Sequence, residues 1–150
     1  MFRPVNFLII LFVLIAGVSC SEESVTKKET KNPEGVVVRN LNGDYYVDVY
    51  FGLISANSSG VLSGTGDYYS FVISSEDLNG NYNLSSSDVS ASAYIDFNSN
   101  NFDNTTVKMP SGGYISIERT NSEIISVSYS LTYEGTEYSG STTTDILEVQ

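Results

Sequence analysis

The chain reads as an all-β protein, an antiparallel β-sandwich of about eight to ten strands. Three features predict this. Beyond the first thirty or so residues, apolar and polar side chains alternate with the period of two that marks half-buried strands. The alternating segments are short and separated by clusters of Gly, Asn and Ser, which favour turns. The same region carries no apolar stripe at helical spacing. An antiparallel sheet of this kind buries one face and wets the other. Two sheets must therefore pack together, or one must close into an up-and-down, lipocalin-like barrel. The irregular connection at 55–66 favours the sandwich.

The first strand is expected at Val36 to Leu41. Asn42-Gly43 follows, a two-residue hairpin signal, because both residues tolerate the positive φ angles of a type I′ turn. The partner strand runs from Asp44 to Ile54, with Tyr45, Val47, Val49, Phe51 and Leu53 on the core face. Tyr46, Asp48 and Tyr50 take the other face. Ser55 to Gly66 reads as a flexible connection. Asp67 to Ser74 is the next strand, with Tyr69, Phe71 and Ile73 inward. Asp77 to Asn81 is a turn and Tyr82 to Leu84 a short strand. Ser90 to Phe97 alternates Ala91, Ala93, Ile95 and Phe97 against Ser92, Tyr94 and Asp96. A polar loop covers Asn98 to Asn104, and Thr105 to Met109 is a strand ended by Pro110-Ser111-Gly112-Gly113. Tyr114 to Arg119 and Glu123 to Tyr133 make a hairpin, the second strand alternating Ile125, Val127, Tyr129, Leu131 and Tyr133 against hydroxyl residues. Glu134-Gly135 turns into Thr136 to Thr144, and Asp145 to Gln150 finishes as an edge strand.

The beginning of the chain has a different character. Phe7 to Val18 is an unbroken run of apolar residues and one glycine behind a single Arg3. It is shorter than the roughly 20 residues that a spanning helix needs, and it fits the hydrophobic region of a signal peptide. Ala16-Gly17-Val18-Ser19 then precedes Cys20, the only cysteine in the chain. This resembles the lipobox of bacterial lipoproteins, with Gly17 where that family prefers Leu. The resemblance implies a signal peptide over 1–19, acylation of Cys20, and lipid anchoring in the outer membrane. Ser21-Glu22-Glu23 resembles the acidic export signal of Bacteroidota surface lipoproteins, which implies display on the cell surface. Several acyl chains anchor firmly where a single one binds marginally. Residues 20–33 read as the lipidated cysteine and a disordered tether reaching roughly 20 Å. Residues 34–150 form the all-β domain.

From Glu34 onward there are 15 Asp and Glu against only Arg39, Lys108 and Arg119, a net charge of −12. Nucleic acid is excluded as a partner, because its binding requires a basic surface. The chain has no His. With Cys20 acylated, the usual zinc and copper sites are excluded too.

Three candidate sites follow from the residues. Asp96, Asn98 and Asn100 have the oxygen spacing of the first half of a calcium loop. Asn101 and Val107 fail the rest of that pattern, and polar turn chemistry competes for the same residues. Asp77, Asn79 and Asn81 share the spacing. Tyr46, Tyr50, Tyr68, Tyr94 and Tyr114 fall on the nominally polar faces of their strands, with Asp48 and Asp96 beside them. Such an aromatic platform suits stacking on a sugar or packing on a protein, although cross-strand tyrosines also stabilise sheets without binding anything. Ser24-Val25-Thr26-Lys27 matches S-x-x-K, but it falls in the tether, and no carboxylate pair stands out for glycoside hydrolysis. The expectation is a non-enzymatic envelope lipoprotein without a cofactor, calcium aside, that binds a glycan or protein ligand. The alternatives are an accessory subunit of an envelope complex and an enzyme acting on envelope polymers.

Overall fold

The computed structural model describes residues 27–149. The apolar run, Cys20, the acidic triplet and Ser24 to Thr26 lie outside the described residues. The described residues form eleven strands: β1 (Lys27–Thr30), β2 (Gly35–Leu41), β3 (Asp44–Ala56), β4 (Leu62–Ile73), β5 (Gly80–Asn83), β6 (Val89–Asn98), β7 (Thr106–Lys108), β8 (Gly112–Arg119), β9 (Ile124–Tyr133), β10 (Thr136–Asp145) and β11 (Leu147–Val149). They form a five-stranded sheet in the order β1-β10-β9-β8-β5 and a six-stranded sheet in the order β11-β2-β3-β4-β6-β7. Among the described residues no ladder joins the two, so the fold is a β-sandwich and not a barrel.

The inner faces follow from the alternation. The six-stranded sheet contributes Val36, Val38, Val47, Val49, Phe71, Ile73, Ala91 and Ala93; the five-stranded sheet contributes Ile115, Ile117, Ile125, Val127 and Leu131. Aromatic rings fill one end of the core. Tyr69 packs on Phe51 at 5.0 Å and edge-on against Tyr129 at 5.3 Å, and its hydroxyl meets that of Tyr133 at 3.2 Å. The Asn42-Gly43 and Glu134-Gly135 hairpins place all four turn residues at positive φ, between 52° and 92°, as tight two-residue connections require.

Several expectations need correction. The segment 55–66 is mostly strand: β3 and β4 pair without a break from Tyr45↔Ile73 to Ala56↔Leu62, leaving only Asn57–Val61 as a turn. Its Ser and Gly residues carry no alternation to read, but the backbone ladder forms regardless. Leu53 does not face the core; it is 83% exposed, and Ile54 is buried instead. Gly52 adopts φ +81° inside an unbroken β3–β4 ladder, and Ile54 is buried outside the main core cluster. On β6, by contrast, Asp96 has φ +56° and the β4–β6 register slips between Gly66 and Tyr68. Phe97 is thereby turned to the outer face, where it meets Tyr68 edge-on at 5.2 Å.

The expected disorder of residues 20–33 does not extend over Lys27–Pro33. Strand β1 pairs in parallel with β10, the Lys31 amide donates to the Ser139 carbonyl, the Tyr129 hydroxyl donates to the Lys31 carbonyl, and Pro33 is buried. Polar composition hid a segment held by backbone bonds at a sheet edge. The sheets are also not wholly antiparallel, since β11 pairs in parallel with β2. The chain crosses between sheets at Ile146, so its last strand enters the second sheet from the side.

Past Gly52 the β3–β4 hairpin bends sharply. A Cβ at Gly64 would collide with the Leu53 carbonyl oxygen, and one at Gly66 with that of Phe51, so only glycine permits the crossing. The tip then curls back over the outer face of the six-stranded sheet. Gly60 sits so close to Val149, Val37 and Arg39 that an added Cβ would lie 3.1–3.4 Å from them. This cover explains why Val37 is fully buried although it points away from the main core.

A tyrosine-bordered groove as the candidate functional site

Strand register builds three rows across the outer face of the six-stranded sheet. One row is Gly35, Tyr50, Tyr68, Tyr94 and Val107; the next is Val37, Asp48, Ser70 and Ser92; the third is Arg39, Tyr46, Val72 and Ser90. Between the outer rows lies a groove of about 330 Å³. Ser70 and Ser92 occupy its middle row, Tyr68 and Tyr94 border one side, Tyr46 and Val72 the other, and Arg39 lies at one end. The opposite end is marked by the Ser92 hydroxyl, 3.6 Å from the Met109 sulfur.

The structure thus gathers Tyr46, Asp48, Tyr50, Tyr68 and Tyr94 on one face. Tyr68 and Tyr94 stack at 4.2 Å with their planes only 6° apart. Burial pushes the Tyr68 hydroxyl well above the ordinary phenol range, helped by Tyr94 and Asp48. Tyr50 lies over Gly35, where any Cβ would strike its hydroxyl, so a glycine makes room for this ring. Its hydroxyl is raised by burial and by Glu34.

Asp48 departs from the expectation that it stands open beside the rings. It is 1% exposed and forms an ion pair with Arg39, whose guanidinium also lies 5.9 Å from the Tyr46 ring centre. Burial pushes the Asp48 carboxyl up from its ordinary value, while Ser70 and Arg39 pull it back down. The pairing leaves Asp48 Oδ1 and Arg39 Nε with no hydrogen-bond partner among the described residues. Burying a charge is costly unless it is paired, so Asp48 fixes Arg39 in place. Arg39, Ser70, Ser90 and Ser92 were not singled out from the sequence. Their signal was their parity, which puts each on the same face as the tyrosines.

Tyr114 does not belong to this site. It lies on β8 of the other sheet and is 43% exposed. Nor do the calcium candidates converge on an ion. The Asp96 amide donates to Asp67, and Asn98 Oδ1 accepts from the Asn100 amide at 2.9 Å, which is local turn chemistry. Asp77 Oδ1 likewise accepts from the Asn79 amide, and Asn79 Oδ1 from the Arg119 amide. Among the described residues no group of three or more potential metal ligands comes together.

A second cleft, of about 390 Å³, opens between the sheets near β1 and β7. Four of its charges pair across it, Lys31 with Asp67 and Lys108 with Glu134, while Glu29 pairs with Lys27. Each of the first two pairs joins one sheet to the other, and the stacked rings of Tyr133 and Tyr138, 4.4 Å apart, form part of the wall. This is an inter-sheet clasp.

Fold and face together define a small acidic β-sandwich that carries a hydroxyl-lined, tyrosine-bordered groove on one sheet. No protein-family model, curated protein or solved structure matches the chain.

Proposed function

We propose that the protein is a lipid-anchored lipoprotein of the outer membrane, displayed on the cell surface, whose β-sandwich is a non-catalytic module that binds a glycan or protein ligand. The anchor reading rests on the apolar run, Cys20 and the acidic triplet that follows it. The binding reading rests on one observation: Tyr46, Tyr68, Tyr94 and an Arg39 paired with Asp48 meet on a single sheet face, at a groove of about 330 Å³ that the three rings and Arg39 line. That volume falls at the lower end of ligand-binding clefts.

Protease shaving of intact cells tests the display half, comparing wild type with a variant carrying alanine at Ser21, Glu22 and Glu23. The expected result is cleavage of wild type and protection of the variant, with a periplasmic control protein intact. Protection of both would turn the search to periplasmic partners. An apolar rim of Phe102, Val107 and Met109, each about half exposed or more, favours a second reading as an accessory subunit. Co-purification of a stable partner from detergent, lost on changing Met109 to Ser, would support that reading.

A further inference from the structure

Resting on the binding-module reading, we propose that the groove takes a neutral glycan chain, with Arg39 as its fixed hydrogen-bond donor and Asp48 as the residue that positions Arg39. Three observations carry this.

The first is the lining. Ser70, Ser90 and Ser92 and the phenols of Tyr46, Tyr68 and Tyr94 surround the groove. A hydroxyl both donates and accepts, so such a set complements a molecule whose own groups do the same. Sugar hydroxyls meet that description. The aromatic borders supply flat apolar surfaces for the C–H faces of a sugar ring.

The second is charge. Among the described residues Arg39 is the only ionic one lining the groove, and Asp48 beneath it compensates the charge. The folded residues 27–149 around it carry −10. An acidic polysaccharide would approach against that field, which acts over roughly a Debye length of 8–10 Å. A neutral chain meets no such opposition.

The third is preorganisation. Arg39 is held by Asp48 and lies beside Tyr46, so its outward N–H groups are fixed before a ligand arrives. Prior fixation lowers the ordering cost of binding. Asp48 itself is too deeply buried to touch the ligand.

The test is affinity gel electrophoresis of the full-length protein in nonionic detergent. The gels contain soluble glucans, mannans, galactans or xylans, with polygalacturonate and chondroitin sulfate as acidic counterparts. At least one neutral polysaccharide is expected to retard the protein, and neither acidic one. Tyr46→Ala and Tyr94→Ala should weaken binding tenfold or more. Ser92→Val, which suits a strand and puts apolar bulk in place of the hydroxyl, should weaken it severalfold. Tyr114→Ala, on the other sheet, should leave it unchanged. Retardation by the acidic polysaccharides alone would overturn the charge argument and the proposal with it. If no glycan binds while Ser92→Val and Tyr94→Ala abolish capture of a protein ligand, the glycan inference falls and the binding-module reading stands. If glycan binding is found but is indifferent to Tyr46, Ser92 and Tyr94, the site assignment is refuted.

Discussion

Removing Arg39 should destabilise the protein more than removing Asp48, and the difference should depend on pH. Asp48 is 1% exposed, whereas about a third of the Arg39 side chain reaches solvent. Arg39→Ala strands a buried carboxylate under Val37, the Gly60 turn and the tyrosine rows. Breaking a buried pair in this way costs about 3–5 kcal/mol. Asp48→Asn leaves a guanidinium that can turn outward, and the loss should be about 1–3 kcal/mol, the range for one charge-assisted hydrogen bond or an unmet polar group. The pH dependence follows from the raised carboxyl. Folded Asp48 holds its proton more tightly than the unfolded chain does. Stability from this group is therefore fully present below the unfolded value of about 3.9 and is lost as pH rises through the raised folded value. Arg39 opposes that rise in the wild type. Without it the carboxyl moves higher still, so the deficit of Arg39→Ala should be large at neutral pH and shrink on acidification toward about pH 4. Urea unfolding followed by circular dichroism at several pH values measures this. Equal, pH-independent losses in the two variants would refute the buried-pair argument.

Three further outcomes are expected. Leu53→Ser should change stability by no more than about 0.5 kcal/mol, as exposed substitutions do, while Ile54→Ser should cost several times that amount; thermal or urea melts of the pair test which of the two side chains is buried. Gly66→Ala should impair folding, because its Cβ would meet the Phe51 carbonyl oxygen, and the loss of the β-sheet circular dichroism spectrum or a lowered unfolding midpoint would show it. On alkaline titration the hydroxyls of Tyr68, Tyr69, Tyr129 and Tyr133, all raised chiefly by burial, should stay silent at 295 nm after the exposed tyrosines have ionised. Because the folded state keeps these protons and the unfolded chain releases them near pH 10, stability should fall above about pH 10, and the silent groups should titrate together with unfolding.

Much of the sandwich was legible because burial and alternation coincide wherever strands stay regular. Val47, Val49, Phe71, Ile73, Ala91, Ala93, Val127 and Leu131 all lie where period two places them. Legibility failed past Gly52, where the hairpin leaves the main core, and at Asp96, where a residue at positive φ beside a register slip turns Phe97 to the outer face. It failed again at 55–66 and at Lys27–Thr30, where polar strands are held by ladder bonds rather than by an apolar face. Of the site, the tyrosines Tyr46, Tyr50, Tyr68 and Tyr94 were visible as apolar bulk on a polar face. Tyr114 obeyed the same rule but belongs to the other sheet, and parity within a strand carries no information about which sheet that strand joins. The Arg39–Asp48 pair was hidden because the cover over it comes from a hairpin tip that curls back at its glycines.

Hydroxyl-radical footprinting by mass spectrometry addresses the central claim most directly. The protein would be labelled alone and saturated with the ligand that a binding screen returns. The account predicts protection of Tyr46 and Tyr94, with Tyr114 labelled equally in both samples. Protection of Tyr114 with Tyr46 and Tyr94 unchanged would contradict the assignment of this sheet face as the binding surface.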